Sequence, residues 1–155
     1  MKITMIAALS IAAAATAVPL AATAHADDTG QFLSPSGNIG CMMEDDAGGN
    51  IFAVCKVQDH TWVAAPSEYC QQAEVPGAIG GPGSDLQLGQ GNTPCVGFSM
   101  NQFFFSGPYA PPTLAYGQTH SVGSITCDSE PSGVTCTDTS TGHLFRVSDD
   151  SYQLG

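Results

Sequence analysis

The chain is nearly without basic side chains. Lys2, Lys56 and Arg146 stand against 14 Asp and Glu in 155 residues, a formal net charge of −11. A surface of that sign repels phosphate backbones and anionic headgroups, which excludes nucleic acid and membrane surfaces as principal partners. It also leaves few ion pairs to build, so hydroxyls, amides and unpaired carboxylates must solvate the surface, and the net repulsion opposes compactness. Other absences narrow the field further. No two cysteines stand two to four residues apart, which removes the usual zinc-ligand and redox-dithiol spacings. No G-x-S-x-G elbow occurs, and with it goes the commonest serine-hydrolase signature. Beyond residue 26 no apolar stripe of period 3.6 and helix length appears, which excludes a helical bundle.

What is present begins with an export signal. Lys2 precedes an Ala-rich apolar run from Ile3 to Leu20, and Ala24-His25-Ala26 then offers a small-x-small cleavage site before Asp27-Asp28. The run is short and helix-weak for a membrane anchor, and Pro19 breaks it near its end. We therefore read residues 1–26 as a cleaved signal peptide and 27–155 as a single exported domain. Lys2 leaves with the signal, so only Lys56 and Arg146 balance the acidic residues of the mature chain.

Six cysteines follow: Cys41, Cys55, Cys70, Cys95, Cys127 and Cys136. Sequence alone does not choose among their pairings, but local geometry helps. Asp128-Ser129-Glu130-Pro131-Ser132-Gly133-Val134-Thr135 suits a hairpin centred on Pro131-Ser132, with a type I turn and β-favouring flanks. Cys127 and Cys136 then face each other at a Cα separation of ~4.5–5.5 Å, within disulfide range. The polar turn Glu44 to Asn50, centred on Gly48, places Cys41 opposite Cys55 in the same way. Cys70 and Cys95 remain to close the middle of the chain. Each bond is expected to stabilise by ~2–4 kcal/mol through the unfolded state.

The rest of the mature chain reads as short strands and turns. Phe32-Leu33, Asn38 to Met43 and Ile51 to Val57 form the first group, and Thr61-Trp62-Val63 is a further short strand. Pro66 to Ala73 suits one or two helical turns. Val75 to Thr93, rich in Gly and Pro, reads as a long loop carrying one edge strand around Leu86 and Leu88. Val122–Cys127, Gly133–Thr137, Leu144–Val147 and Tyr152–Leu154 read as a meander. Pro35-Ser36-Gly37 and Pro131-Ser132-Gly133 repeat one turn chemistry ahead of Cys41 and Cys136, which points to two similar hairpins rather than a duplication.

Those residues also carry a resemblance. Phe32-x-Ser34-Pro35-Ser36-Gly37-Asn38-Ile39-Gly40-Cys41 is similar to the opening signature of an uncharacterised family of small secreted actinobacterial, especially mycobacterial, disulfide-bonded domains of unknown function. The resemblance continues through Cys55, Trp62, Cys70, Cys95, Leu114-x-Tyr116-Gly117, Cys127, Ser132-Gly133-Val134-Thr135-Cys136 and Thr141-Gly142-His143-x-Phe145. It implies a secreted, disulfide-bonded domain and transfers no activity. The chain departs from the pattern after Cys70, where an expected Trp is missing, at Leu144 in place of a Gly, at Asp149 in place of a basic residue, and in an expanded stretch from Met100 to Pro112.

Few residues point to chemistry. Asp28-Thr29-Gly30 matches the aspartic-protease tripeptide, but that chemistry needs two carboxylates sharing a proton across two lobes, and here there is one copy. His60, His120 and His143 would need a serine and an acid brought to them by the fold. Glu44-Asp45-Asp46 lacks the spacing of a calcium loop and reads as a solvated hairpin tip. Phe103-Phe104-Phe105 with Tyr109 is the strongest binding candidate. It reads either as core packing with a Pro-stiffened loop or as an aromatic patch for a protein or cell-wall glycan partner.

The sequence thus predicts a mostly-β fold, a small disulfide-stapled sandwich or open barrel of hairpins. It predicts no cofactor, no metal, no catalytic residue and no membrane span after signal cleavage. The expected role is a non-catalytic interaction protein, secreted or held at the cell envelope. A small secreted hydrolase and a protease inhibitor, the latter with Pro76 to Thr93 as its protruding loop, are the alternatives.

Overall fold

A computed structural model describes residues 30–71, 78–99 and 105–155, with the backbone alone for residues 78–82 and 99. Two five-stranded antiparallel sheets pack face to face, each an up-and-down meander in chain order. The first holds β1 (Gln31–Leu33), β2 (Ile39–Asp45), β3 (Ile51–Val57), β4 (Ala78–Gly89) and β5 (Cys95–Ser99). The second holds β6 (Thr119–Val122), β7 (Ile125–Glu130), β8 (Gly133–Asp138), β9 (Leu144–Val147) and β10 (Tyr152–Leu154). The arrangement is a sandwich and not a closed barrel. Among the described residues there is no α-helix, and no helix is long and apolar enough to cross a membrane.

The strand alternation explains the core. Phe32, Ile39, Cys41, Met43, Ala53, Cys55, Val57, Leu86, Leu88 and Val96 point inward from the first sheet. Ile125, Cys127, Val134, Cys136, Phe145 and Val147 meet them from the second. The alternate residues of β7 and β8 are Thr126, Asp128, Thr135 and Thr137, a polar outer face on which Thr119 Oγ1 donates to Asp128 at 2.6 Å and the Ser121 and Thr126 hydroxyls lie 2.9 Å apart. The first sheet differs because its outer face is also buried. Met42, Phe52 and Val54 form a second cluster there with Cys70 and Cys95. Asp85 is buried on that face beside Lys56, whose ammonium lies 3.5 Å from its carboxylate. A charge taken out of water needs such a partner.

The disulfides are Cys41–Cys55, Cys70–Cys95 and Cys127–Cys136, and no described cysteine is free. Cys41 is the register partner of Cys55, and Cys127 of Cys136, with Cα atoms 4.1 and 4.0 Å apart. The two pairs face each other across the core, where Cys55 Sγ lies 3.7 Å from Cys136 Sγ. Every disulfide stays within residues 30–99 or within residues 105–155; none joins one sheet to the other.

Several local expectations are corrected. Thr61-Trp62-Val63 is irregular, not a strand, because its backbone and the Trp62 indole bond to the β9–β10 turn instead of a ladder. The segment read as a long loop with an edge strand is β4, paired with β3 on one side and β5 on the other. Its Gly and Pro content reads as turn chemistry, yet a ladder needs only backbone groups, and a register shift between Gly80 and Asp85 absorbs the irregularity. Val122 to Cys127 is not one strand: Gly123-Ser124 turns the chain between β6 and β7. Over Pro66 to Ala73 the described residues hold one helical turn, the 3-10 turn Pro66–Glu68, followed by a bridge from Tyr69 to Val96, while residues 72 and 73 lie outside the described residues.

Candidate functional site

In a meander, alternate turns fall at the same end. The β1–β2, β7–β8 and β9–β10 turns gather at one end of the sandwich with the segment leaving β3 and the turn from Ala115 to Gln118. Much of what is motif-like in the sequence serves to build this end. Ser34 is buried; its Oγ accepts the Ile39 amide at 3.1 Å and lies 2.9 Å from Ser36 Oγ, closing the first Pro-Ser-Gly turn. The Asn38 side chain clamps the backbone of Asp59, donating to its carbonyl and accepting its amide, both at 2.8 Å. Thr61 N donates to the Asp149 carbonyl at 2.8 Å, and Trp62 Nε1 to the Ser148 carbonyl at 3.0 Å. Trp62 is therefore a buried strut between the two halves of the chain.

Aromatic and hydroxyl groups complete the scaffold. The His60 ring stacks on Trp62 with centroids 4.1 Å apart, and its Nδ1 lies 2.9 Å from the Trp62 carbonyl oxygen. Tyr152 packs on the same indole at 4.8 Å and donates its hydroxyl to Glu68. That bond, with burial and the charge of Glu68, holds the phenol above its ordinary pKa. The Ser148 hydroxyl donates to Asp150 and accepts the Ser151 amide, so the β9–β10 turn is internally braced. Asp150 lies below the usual carboxylate range because the hydroxyls of Ser148 and Ser151 donate to it.

On this frame stand three adjoining depressions, all bordered by Asp149. The first, about 660 Å³, runs past Ser132, Arg146 and Gln153. The second lies between the two Pro-Ser-Gly turns, with Ser36, Tyr116 and Glu130 on its walls. The third is lined by Asp59, His60 and Thr61. Tyr116 is 48 % exposed. The chemistry on offer is a ring face, hydroxyls and fixed carboxylate acceptors with one nearby guanidinium. It suits a ligand that donates hydrogen bonds and repels one that carries phosphate. Of the five serines here, Ser132, Ser148 and Ser151 donate to carboxylates and the Ser34 and Ser36 hydroxyls pair with each other, while His60 Nδ1 lies against the Trp62 carbonyl.

The other candidates are scattered. Phe103 and Phe104 lie outside the described residues. Phe105 is half-buried, and Tyr109 is 77 % exposed in a turn closed by the Ala110 amide on the Gly107 carbonyl. The Pro-rich run then joins the fold: Leu33 N donates to the Pro112 carbonyl and Leu114 N to the Leu33 carbonyl, both at 2.9 Å. His120 sits on β6, edge-on to Phe32 at 5.9 Å, and His143 lies in the β8–β9 turn at the opposite end from His60. The three histidines therefore belong to three places. Residues 28 and 29 of the protease-like tripeptide lie outside the described residues. Asp46 of the acidic hairpin tip is held by the Gly48 amide and by the backbone and side chain of Asn50. Among the described residues, no group of three His, Cys, Asp or Glu could hold a metal ion.

Asp138 was not singled out from the sequence. It is fully buried at the end of β8, where Gly91 N donates to Oδ2 at 2.7 Å, Ser140 N and Oγ to Oδ1 at 3.0 and 2.7 Å, and Thr141 Oγ1 to Oδ2 at 3.2 Å. Burial alone would raise its pKa. The Gly91 amide, both Ser140 groups and Ser124 override that and hold it far below the carboxylate range. Asp-Thr-Ser-Thr-Gly after an alternating strand was the available signal, a carboxylate capping its own turn. Because Gly91 belongs to the β4–β5 turn, Asp138 also ties the first sheet to the second. No family model, curated protein or solved structure matches the chain.

Proposed function

We propose that the chain is an exported, non-catalytic interaction domain of the cell envelope or its surroundings, and that it binds a neutral wall glycan at the end of the sandwich around Tyr116 and Asp149. Residues 1–26 direct export in this reading, and 27–155 form the working domain. The observation that carries it is the half-exposed Tyr116 ring beside the carboxylates of Glu130 and Asp149, on turns fixed by hydrogen bonds. Sugars offer an apolar face to a ring and hydroxyl donors to carboxylates, and they carry no charge for the acidic surface to repel. Three disulfides and a compact two-sheet fold suit an oxidising exterior.

The test is calorimetric titration of the oxidised domain with uncharged wall oligosaccharides, alongside Tyr116→Ala and Asp149→Asn. Saturable binding that falls at least ~10-fold in Tyr116→Ala, with unchanged circular dichroism, is the expected result; a hot-spot aromatic is worth that much. Wild-type protein that binds no oligosaccharide would sink the reading. A protein partner at the exposed Tyr109 is the second reading, and Tyr109→Ala would then weaken capture of that partner while Tyr116→Ala would not. The inhibitor alternative loses support, because the segment it needs as a protruding loop is largely the paired strand β4.

A further inference from the structure

The halves of the sandwich meet sulfur to sulfur in one place. Cys55 Sγ lies 3.7 Å from Cys136 Sγ, and Cys41, Cys55, Cys127 and Cys136 are all fully buried. Their partners are local, 14 residues apart for Cys41–Cys55 and 9 for Cys127–Cys136. A bond between Cys55 and Cys136 would instead span 81 residues and cross between the sheets. In the loop-closure description, a longer loop removes more freedom from the unfolded chain. Exchange needs a thiolate placed against a disulfide sulfur, and packing already supplies that neighbour.

We propose that these four cysteines form one exchangeable redox unit whose two-electron-reduced state holds a single cross-sheet bond, Cys55–Cys136. A dithiol reductant opens Cys41–Cys55 and is itself oxidised to its disulfide, leaving two thiols. The Cys55 thiolate then attacks Cys136 Sγ, the Cys127–Cys136 bond breaks, and Cys127 leaves as a thiolate. The proton given up by Cys55 ends on Cys127. Opening Cys127–Cys136 first leads to the same product, because the Cys136 thiolate attacks Cys55 Sγ and releases Cys41. Reduction by two electrons thus removes both hairpin staples yet joins the sheets covalently. The protein meets a reducing encounter by changing which parts of it are tied together, not by losing its ties.

The test uses the oxidised full domain under native conditions with limiting dithiothreitol, quenched with N-ethylmaleimide and mapped by non-reducing peptide mass spectrometry. Among species with two of the four core cysteines alkylated, the labelled pair is expected to be Cys41 with Cys127, and a Cys55–Cys136 linked peptide is expected. Labels on Cys41 with Cys55, or on Cys127 with Cys136, would overturn the proposal. So would passage straight to four labelled cysteines with no two-label species. Labelling of Cys70 and Cys95 is read separately and does not enter the score. As a second measurement, the Cys41→Ala, Cys127→Ala double variant is expected to form Cys55–Cys136 in air and to keep the wild-type far-ultraviolet spectrum. Two persistent thiols in that folded variant would count against the proposal.

Discussion

Asp138 shows how much one side chain can decide. Four donors from two turns converge on a carboxylate shielded from water, and each bond to a charged acceptor is worth ~1.5–3 kcal/mol. Asp138→Asn keeps the shape but replaces one acceptor oxygen with a donor facing donors. We expect a loss of about 2–4 kcal/mol, read by urea unfolding at neutral pH. The pH dependence follows from the direction of the shift. The folded pKa lies below the unfolded value of ~3.9, so ionised Asp138 stabilises the fold above about pH 4, and that contribution fades as the pH falls further. The stability gap between wild type and Asp138→Asn should therefore narrow from pH 4 to pH 2 by ~1 kcal/mol or more. A gap that stays constant through that window would mean the carboxylate charge is not what the turns hold. At the same scale, Trp62→Phe keeps the ring stack and loses only the indole bond to Ser148. We expect ~1 kcal/mol of destabilisation by thermal unfolding, with the fold retained.

The hairpin is the unit in which sequence and structure agree best, and also where they part. The two Pro-Ser-Gly tips look alike in sequence but differ in space. A side chain at Gly37 would meet open space, at a φ of +74°, whereas a Cβ at Gly133 would lie 2.1 Å from the Val147 carbonyl oxygen at a φ of +126°. Asn tolerates the left-handed region, so Gly37→Asn should cost no more than ~1 kcal/mol, while Gly133→Asn should cost ~3 kcal/mol or fail to fold. Equal melting temperatures for the two variants would refute the distinction. The hairpins around Cys41–Cys55 and Cys127–Cys136 were legible because turn residues flank alternating strands and fix the register. β4 was not legible, since Gly80-Gly81-Pro82-Gly83 carries loop chemistry inside a strand held by backbone bonds. β5 and β6 were not legible either, since Gly97 interrupts the one and Thr119-His120-Ser121 gives the other a polar run without alternation. The end of the sandwich around Tyr116 and Asp149 was invisible for another reason. Ser36, Tyr116, Glu130 and Asp149 come from four separate turns, and only the parity of the meander brings them together. Trp62 and Asn38 stood out as motif residues, but nothing in the sequence shows that they brace this end rather than line it.

For the molecule as a whole, charge and connectivity dominate. With 14 acidic residues against Lys2, Lys56 and Arg146, folding gathers like charge into a smaller volume. Added sodium chloride screens that repulsion, so the melting temperature should rise between roughly 10 mM and 0.5 M salt, as the Debye length falls from ~30 Å to a few ångströms. A fall would show that attractive pairs such as Lys56–Asp85 outweigh the net field. The connectivity has a separate consequence. Among the described residues, β1 to β5 make one sheet and β6 to β10 the other, every disulfide keeps to its own side, and only the bridge from Thr113 to Leu33 reaches from the second half onto the first sheet. The packed core is thus equivalent to a heterodimer interface written into one chain. Each oxidised half keeps the disulfides of its own sheet, and what it lacks is the opposite apolar face together with the hydrogen bonds that cross between the halves, from Leu33 to Pro112 and Leu114, from Thr61 and Trp62 to the β9–β10 turn and from Gly91 to Asp138. Two such fragments, expressed apart, are natural partners for complementation, and a reporter split between them would light up wherever both halves are exported together.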